Sequence, residues 1–182
     1  MTNYKPLSKE YLLKRGYCCN NGCRNCPYKK NLKKIKKIMG TRATINIARR
    51  EEGVSFSEIP EKVMVSIYNH YDGYPEGLGV TLASYLEGSK IVNGLGGNRD
   101  DVFNGLGCMA ASIIAELKEE AGNVYIEDPV RPHGWIDYEY YVWGDDNKDI
   151  WISIFSNGDC IFVGKPQQLL VKYDERYQEI TD

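Results

Sequence analysis

The chain has 182 residues, 42% of them hydrophobic and 26% charged, with a formal net charge of −2. These are values of a chain that mostly folds, long enough for one ordinary domain and a small appendage, and no apolar run approaches the ~18 residues of a membrane-spanning helix. The small net charge hides a split: residues 1–40 hold eleven Lys and Arg against Glu10 alone, while residues 41–182 hold twelve against twenty-four Asp and Glu. That asymmetry predicts a basic arm on an acidic body.

In chain order, "LSKEYLLKRG" (7–16) predicts a short helix with Ser8 as its N-cap and Gly16 as its stop. A cysteine cluster follows. "KKNLKKIKKIMG" (29–40) then places Leu32, Ile35, Ile38 and Met39 at helical spacing between lysines, the pattern of a basic amphipathic helix. Composition changes at Met39-Gly40, which sets the expected division: a Cys-rich basic module over 1–38 and an acidic domain over 39–182. "TRATINIARR" and "KVMVSIYNHY" (62–71) predict strands, and "DGYPEGLG" is a run of turn residues. "VTLASYLEG" predicts a helix stopped at Gly88, and "IVNGLGGNRDDVFNGLG" a loop carrying Asn-Gly-Leu-Gly twice, at 93–96 and 104–107. "CMAASIIAELKEEAG" (108–122) is the clearest helix, with Ile113, Ile114 and Leu117 on one face and Gly122 as its cap. "NVYIED", "WIDYEYYVWG", "DIWISIFSNG" and "DCIFVG" predict four strands, the last three joined by hairpin turns at Asp145-Asp146-Asn147 and Asn157-Gly158. "KPQQLLVKYDERYQEI" predicts a closing helix with Pro166 in its first turn. The expected fold is α+β: an antiparallel sheet of five or six strands, two or three covering helices, and the small Cys-rich metal-knuckle module.

The opening "MTNYKPLSKEYLLKRGY" has no apolar core of a secretory signal, so the expected compartment is the reducing cytoplasm. There, clustered cysteines are better read as metal ligands than as disulfides. Cys18, Cys19, Cys23 and Cys26 give C-C-x3-C-x2-C, and Asn20, Asn21, Gly22 and Asn25 tolerate the positive φ that a knuckle needs. Zinc is the expected ion. The adjacent pair Cys18-Cys19 strains a four-thiolate site, so three cysteines with an outside ligand such as His133, an iron–sulfur cluster, redox-active thiols and a disulfide remain alternatives. Lys29, Lys30, Lys33, Lys34, Lys36 and Lys37 are the candidate contacts to nucleic acid or an acidic partner; the plain alternative is a solvated helix face. Only Tyr17 and Tyr28 stand ready to stack on bases, which argues against sequence-specific readout.

Residues 6–30, with Gly16, Tyr17, the four cysteines, Gly22 and Pro27, resemble short uncharacterised Cys-rich proteins and the N-terminal module of the oxidoreductase-like family. That resemblance implies a small module and no settled reaction. Residues 39–165, with "MGTRATI", "YNHYDGYPEGLG", "IVNGLGG" and "FNGLGCMAASIIAELK", resemble uncharacterised phage and bacterial proteins that open Met-Gly-Thr-Arg and carry an Asp-Gly-Tyr-Pro turn. It implies a shared fold and loop cluster.

Physically, Gly94, Gly96, Gly97, Gly105 and Gly107 approach the strong helix near Cys108, where open N–H groups and the positive end of the dipole suit an anion. Asp72, Tyr74, Asn93, Gly94, Gly96, Asn104, Gly105 and Gly107 form the expected ligand cleft between "DGYPEG" and "NGLG"; the alternative is that the glycines serve turns and packing. His70 and Asp72, two apart and on one face of a continuing strand, are candidates for acid–base work, with Cys108 as a nucleophile. Cys108 and Cys160 otherwise read as small buried hydrophobes. Trp135, Tyr138, Tyr140 and Trp143 are sheet residues with a partner surface as a second reading. The leading expectation is a non-enzymatic accessory binding protein, phage-encoded on the second resemblance. It combines a zinc-held basic module with a body for a small anionic ligand or a protein. An enzyme using His70 and Asp72, and a virion-associated interaction protein, are the alternatives.

Overall fold

The computed structural model of the protein describes residues 40–49, 55, 57–60, 62–94, 102–119, 121–130 and 134–178. The chain divides into two units, Met1–Met39 and Gly40–Asp182. All described residues lie in the second, and the two predicted N-terminal helices lie outside them.

The second unit is α+β. Among its described residues, strands β1 (Ala43–Arg49), β2 (Lys62–Asn69), β5 (Val124–Glu127), β6 (Tyr138–Gly144), β7 (Ile150–Ser156) and β8 (Asp159–Gly164) form one sheet in the order β5-β2-β1-β6-β7-β8. A second, two-stranded sheet pairs β3 (Lys90–Val92) with β4 (Val102–Asn104). In the large sheet every neighbouring pair is antiparallel except β1 and β6, which run parallel. The expected wholly antiparallel sheet is thus corrected at one pair. Hairpin turns fix antiparallel direction between consecutive strands, but β1 and β6 meet only after the chain has passed through β2 and β5, so a crossover sets their direction. The β7–β8 turn is a tight hairpin in which both Asn157 (φ 53°) and Gly158 (φ 85°) are left-handed, as such a turn requires.

The β1 sequence "ATINIAR" alternates. Ala43, Ile45 and Ile47 enter the main core, and Ala48 joins a smaller cluster on the opposite face with Tyr141, Trp143 and Phe155. Between these, Thr44, Asn46 and Ser66 are buried, and a hydrogen-bond chain runs Ser66 Oγ to Asn46 Oδ1 (2.8 Å) and Asn46 Nδ2 to Thr44 Oγ1 (3.1 Å). Helices α1 (Val80–Leu86), α2 (Gly105–Leu117) and α3 (Pro166–Tyr173) supply Leu82, Leu86, Met109, Ile113, Leu169 and Leu170 to the main core. All three therefore cover the same sheet face. A fully buried member such as Ile67 or Ile113 should cost about 2–5 kcal/mol when cut to Ala.

Local chemistry moves several predicted boundaries. The strand expected over 62–71 ends at Asn69. The "PEGLG" run forms a π-helical turn, Pro75–Gly79, that feeds directly into α1. α2 begins at Gly105, absorbing Gly105–Gly107 of the second Asn-Gly-Leu-Gly while Asn104 ends β4, and ends at Leu117, where Asn123 Nδ2 donates to the Leu117 carbonyl at 2.9 Å. Gly122 (φ 93°) serves the turn into β5 instead. The closing helix breaks at Asp174, whose carboxylate accepts the Arg176 backbone N–H at 3.0 Å and starts a separate α4 (Glu175–Gln178). Among the described residues no helix is long and apolar enough to cross a membrane.

Both outer strands carry a lysine cap. Lys118 Nζ donates to the Val124 carbonyl of β5 (2.9 Å), and Lys172 Nζ to the Ile161 carbonyl of β8 (3.1 Å). Charged caps on outer strands oppose the addition of a further strand there.

Candidate functional site

The turn between β6 and β7 organises the surface with the most chemistry. Asp145 Oδ1 accepts the Asp149 N–H (2.9 Å), and Asp145 Oδ2 accepts the Trp151 indole N–H (3.0 Å). The turn is stitched to the small sheet: the Ile91 N–H donates to the Lys148 carbonyl (2.9 Å), and Lys90 bridges Asp149 in antiparallel fashion. That backbone contact is why a lysine from β3 reaches an aspartate so distant in sequence.

A cavity of about 660 Å³ opens beside this turn, walled by residues 86–90 after α1, 149–151 at the start of β7 and 165–168 at the start of α3. Its size is that of a small-molecule site. On its wall Asp149 holds two lysines, Lys165 Nζ at 2.7 Å from Oδ2 and Lys90 Nζ at 3.5 Å from Oδ1. Lys165 Nζ also stands 5.8 Å from the centre of the Trp151 ring. The Lys165 hydrogen bond, reinforced by both ammonium charges, holds the Asp149 carboxyl below its ordinary range. The same hydrogen bond holds Lys165 above its own. The backbone of Lys165 is fixed as well: its N–H donates to Gln168 Oε1 (2.8 Å) and its carbonyl accepts the Gln168 N–H (3.0 Å). Lys90, Asp149, Trp151 and Lys165 were not singled out as a site in the sequence. They come from three separated segments, and no spacing within one segment signals them.

A second cavity, about 340 Å³, lies on the other side of the turn and is lined by Arg49, Asn93, Leu106, Asp145, Asp146 and Lys148 among others. It touches both Asn-Gly-Leu-Gly copies. The parallel pairing of β3 with β4 sets Val92 opposite Asn104, so the repeats start side by side. Asn104 Oδ1 accepts the Gly94 N–H (2.9 Å) and so leaves the start of α2 without a side-chain cap. Gly105 and Gly107 belong to the first turn of α2 rather than to a loop before it, and Gly96 and Gly97 lie outside the described residues.

The "DGYP" turn lies elsewhere. Neither cavity is lined by Asp72 or Tyr74. Gly73 is held against the sheet, its N–H on the Thr41 carbonyl (2.9 Å) and its carbonyl on the Tyr140 hydroxyl (2.8 Å). A Cβ there would meet Ala43 Cβ at 2.7 Å, so this glycine serves close packing. Burial raises the Tyr140 phenol well above its ordinary range. Since β2 stops at Asn69 and Asp72 is left-handed (φ 53°), the alternation that would align His70 with Asp72 is lost. His70 Nδ1 pairs instead with the Tyr68 hydroxyl at 2.8 Å, while Asp72 Oδ1 is shielded from solvent without a hydrogen-bond partner. Cys108 is exposed, correcting its reading as a buried hydrophobe: it sits in the second turn of α2, on the side away from Met109 and Ile113. Cys160 is half-buried, and burial raises its thiol. Tyr140 and Trp143 are buried in different clusters on opposite faces, whereas Trp135 is 89% exposed, so the four aromatic residues share no surface.

Cys18, Cys19, Cys23, Cys26, His133 and the lysines at 29, 30, 33, 34, 36 and 37 lie outside the described residues. Among the described residues, no group of three or more His, Cys, Asp or Glu could hold a metal ion. The model of a family of unknown function, DUF5522, matches residues 1–32, a stretch that contains all four clustered cysteines. No curated protein matches the chain, and no solved structure does.

Proposed function

We propose that the protein is a non-enzymatic accessory binding protein. Its N-terminal module holds zinc through Cys18, Cys19, Cys23 and Cys26 and offers its lysine row to phosphates or an acidic partner; its body binds a small anionic ligand. The observation that carries the body's role is the larger cavity, where Lys90 and Lys165, from different elements, converge on Asp149. Its ionised groups are locked in ion pairs, which is recognition chemistry rather than proton transfer. The chemistry of the donor set supports the module's role: four thiols in nine positions suit a thiophilic ion, and asparagine and glycine between them permit the turn. The resemblance of residues 39–165 to phage and bacterial proteins favours an accessory role of this kind.

Two measurements test the proposal. Elemental analysis of the full chain should find about one zinc per chain, lost when the four cysteines are changed to serine; iron would move redox chemistry to the front. Equilibrium titration with small anions should show saturable binding that weakens when Lys90 and Lys165 are neutralised. Absence of both results would sink the proposal.

A further inference from the structure

The larger cavity says more about its ligand than its charge. Lys90 and Lys165 each place one ammonium on a different oxygen of the same carboxylate, so the two nitrogens straddle Asp149. An ammonium has three N–H donors, and each of these has one carboxylate contact in the cavity wall. Both lysines line the cavity, so their remaining donors are there for a ligand. A monocarboxylate there would only repeat what Asp149 already supplies. A tetrahedral group with three terminal oxygens can engage both ammoniums at once and carries a second negative charge.

The surroundings agree. In the first turn of α3, Pro166 has no N–H and the Gln168 N–H is used by Lys165, which leaves the N–H of Gln167 as the donor at the positive end of this eight-residue helix. Two carboxylates oppose an anion in the lining: Asp149, which is paired with both lysines, and Glu87, which is exposed, where water and salt screen it. The cavity is also much larger than an inorganic anion needs. Leu86, Ile150, Pro166 and the Trp151 ring give it walls for an organic body.

We propose that this cavity takes a dianionic phosphomonoester of a small organic molecule, with the phosphate between Lys90 and Lys165 and the organic part against Trp151 and Pro166. The inference rests on reading the body as a ligand-binding domain, and it names the ligand class. A sugar phosphate and a nucleoside monophosphate share that chemistry.

The test is calorimetric titration of the full chain with glucose 6-phosphate, AMP, glucose, adenosine and citrate. At least one phosphomonoester should bind, and its dephosphorylated partner should bind about tenfold or more weakly. Whichever of the two phosphomonoesters binds tighter identifies the organic part. Lys90→Gln and Lys165→Gln should each weaken binding about tenfold. Asp149→Asn should tighten it, because both ammoniums are released to the ligand, and a damaged fold cannot give that sign. Lys90, Lys165, Asp149 and Glu87 are the charged groups around the phosphate; Asp149 is held below its ordinary range and Lys165 above its own, and binding should fall from pH 7 to 5 with the second ionisation of the phosphate, at about 6. Phosphomonoester binding that survives both lysine changes belongs to another surface and overturns the proposal. Lysine-dependent binding of citrate alone overturns the phosphomonoester class but leaves an anion site. No binding by any of the five overturns both.

Discussion

Asp145 lines the smaller cavity and Asp149 the larger, although both belong to the turn between β6 and β7. Asp145 spends its two oxygens on the Asp149 N–H and the Trp151 indole N–H, both within the turn and the strand it starts. Asp149 gives its two oxygens to lysines from β3 and from the start of α3. One carboxylate is architecture and the other gathers charge from distant segments. The difference teaches that a cavity's acidic lining does not by itself make a site: the smaller cavity's Asp145 is already committed, whereas the larger cavity's lysines keep donors to spare.

Removing the architectural carboxylate should break this comparison most severely. Asp145→Ala takes the acceptor from two donors and should cost roughly 2–3 kcal/mol, read as a fall of several degrees in Tm, and it should weaken ligand binding in the larger cavity by freeing Trp151. Gly144→Ala comes next. Its Cβ would meet Ile91 Cδ1 at 2.8 Å, the movable end of a side chain, so the expected loss is about 1 kcal/mol by chemical denaturation. That change presses on the smaller cavity and should leave binding in the larger one intact. Lys148 is left-handed (φ 67°), so Lys148→Gly should raise stability by less than about 1 kcal/mol.

Asp149→Asn should have the smallest effect on stability near neutral pH, because exposed ion pairs contribute little. Its signature is in acid. The Lys165 hydrogen bond lowers the Asp149 carboxyl, so its contribution is present above the ordinary value near ~3.9 and is lost as pH falls through the lowered one. Lys165 is raised, so its share is present below the ordinary value near ~10.4 and is lost as pH rises through the raised one. Tm measured from pH 7 to pH 2 should therefore fall more in the wild type than in Asp149→Asn. Parallel curves would show that the ion pair does not contribute.

Much of the fold was legible because it is local. Alternation in "ATINIAR" and the Asn157-Gly158 turn report their own conformations, and β6, β7 and β8 follow each other through short turns. The parallel contact of β1 with β6 was not legible, since no short segment encodes a crossover. The Asn-Gly-Leu-Gly copies were visible as a pair, but their neighbourhood depends on β3 and β4, two three-residue strands too short to show a period. Asp72 was read as a turn residue that would share a face with His70 only on a continuing strand; β2 ends at Asn69, and the left-handed backbone of Asp72 and the π-helical turn after it redirect the chain. The larger cavity was least legible: Lys90, Asp149 and Lys165 each look like an ordinary surface charge until the fold brings them together.

The most direct test of the account is a chemical-shift map of the isotopically labelled full chain titrated with glucose 6-phosphate and with AMP. The account predicts that at least one of them moves the Trp151 indole and the backbone amides of Lys90, Asp149 and Gln167, while Asn93 and Asp146 in the smaller cavity and the exposed Trp135 stay in place. Shifts confined to the smaller cavity, or none in the walls of the larger one with either compound, would contradict it.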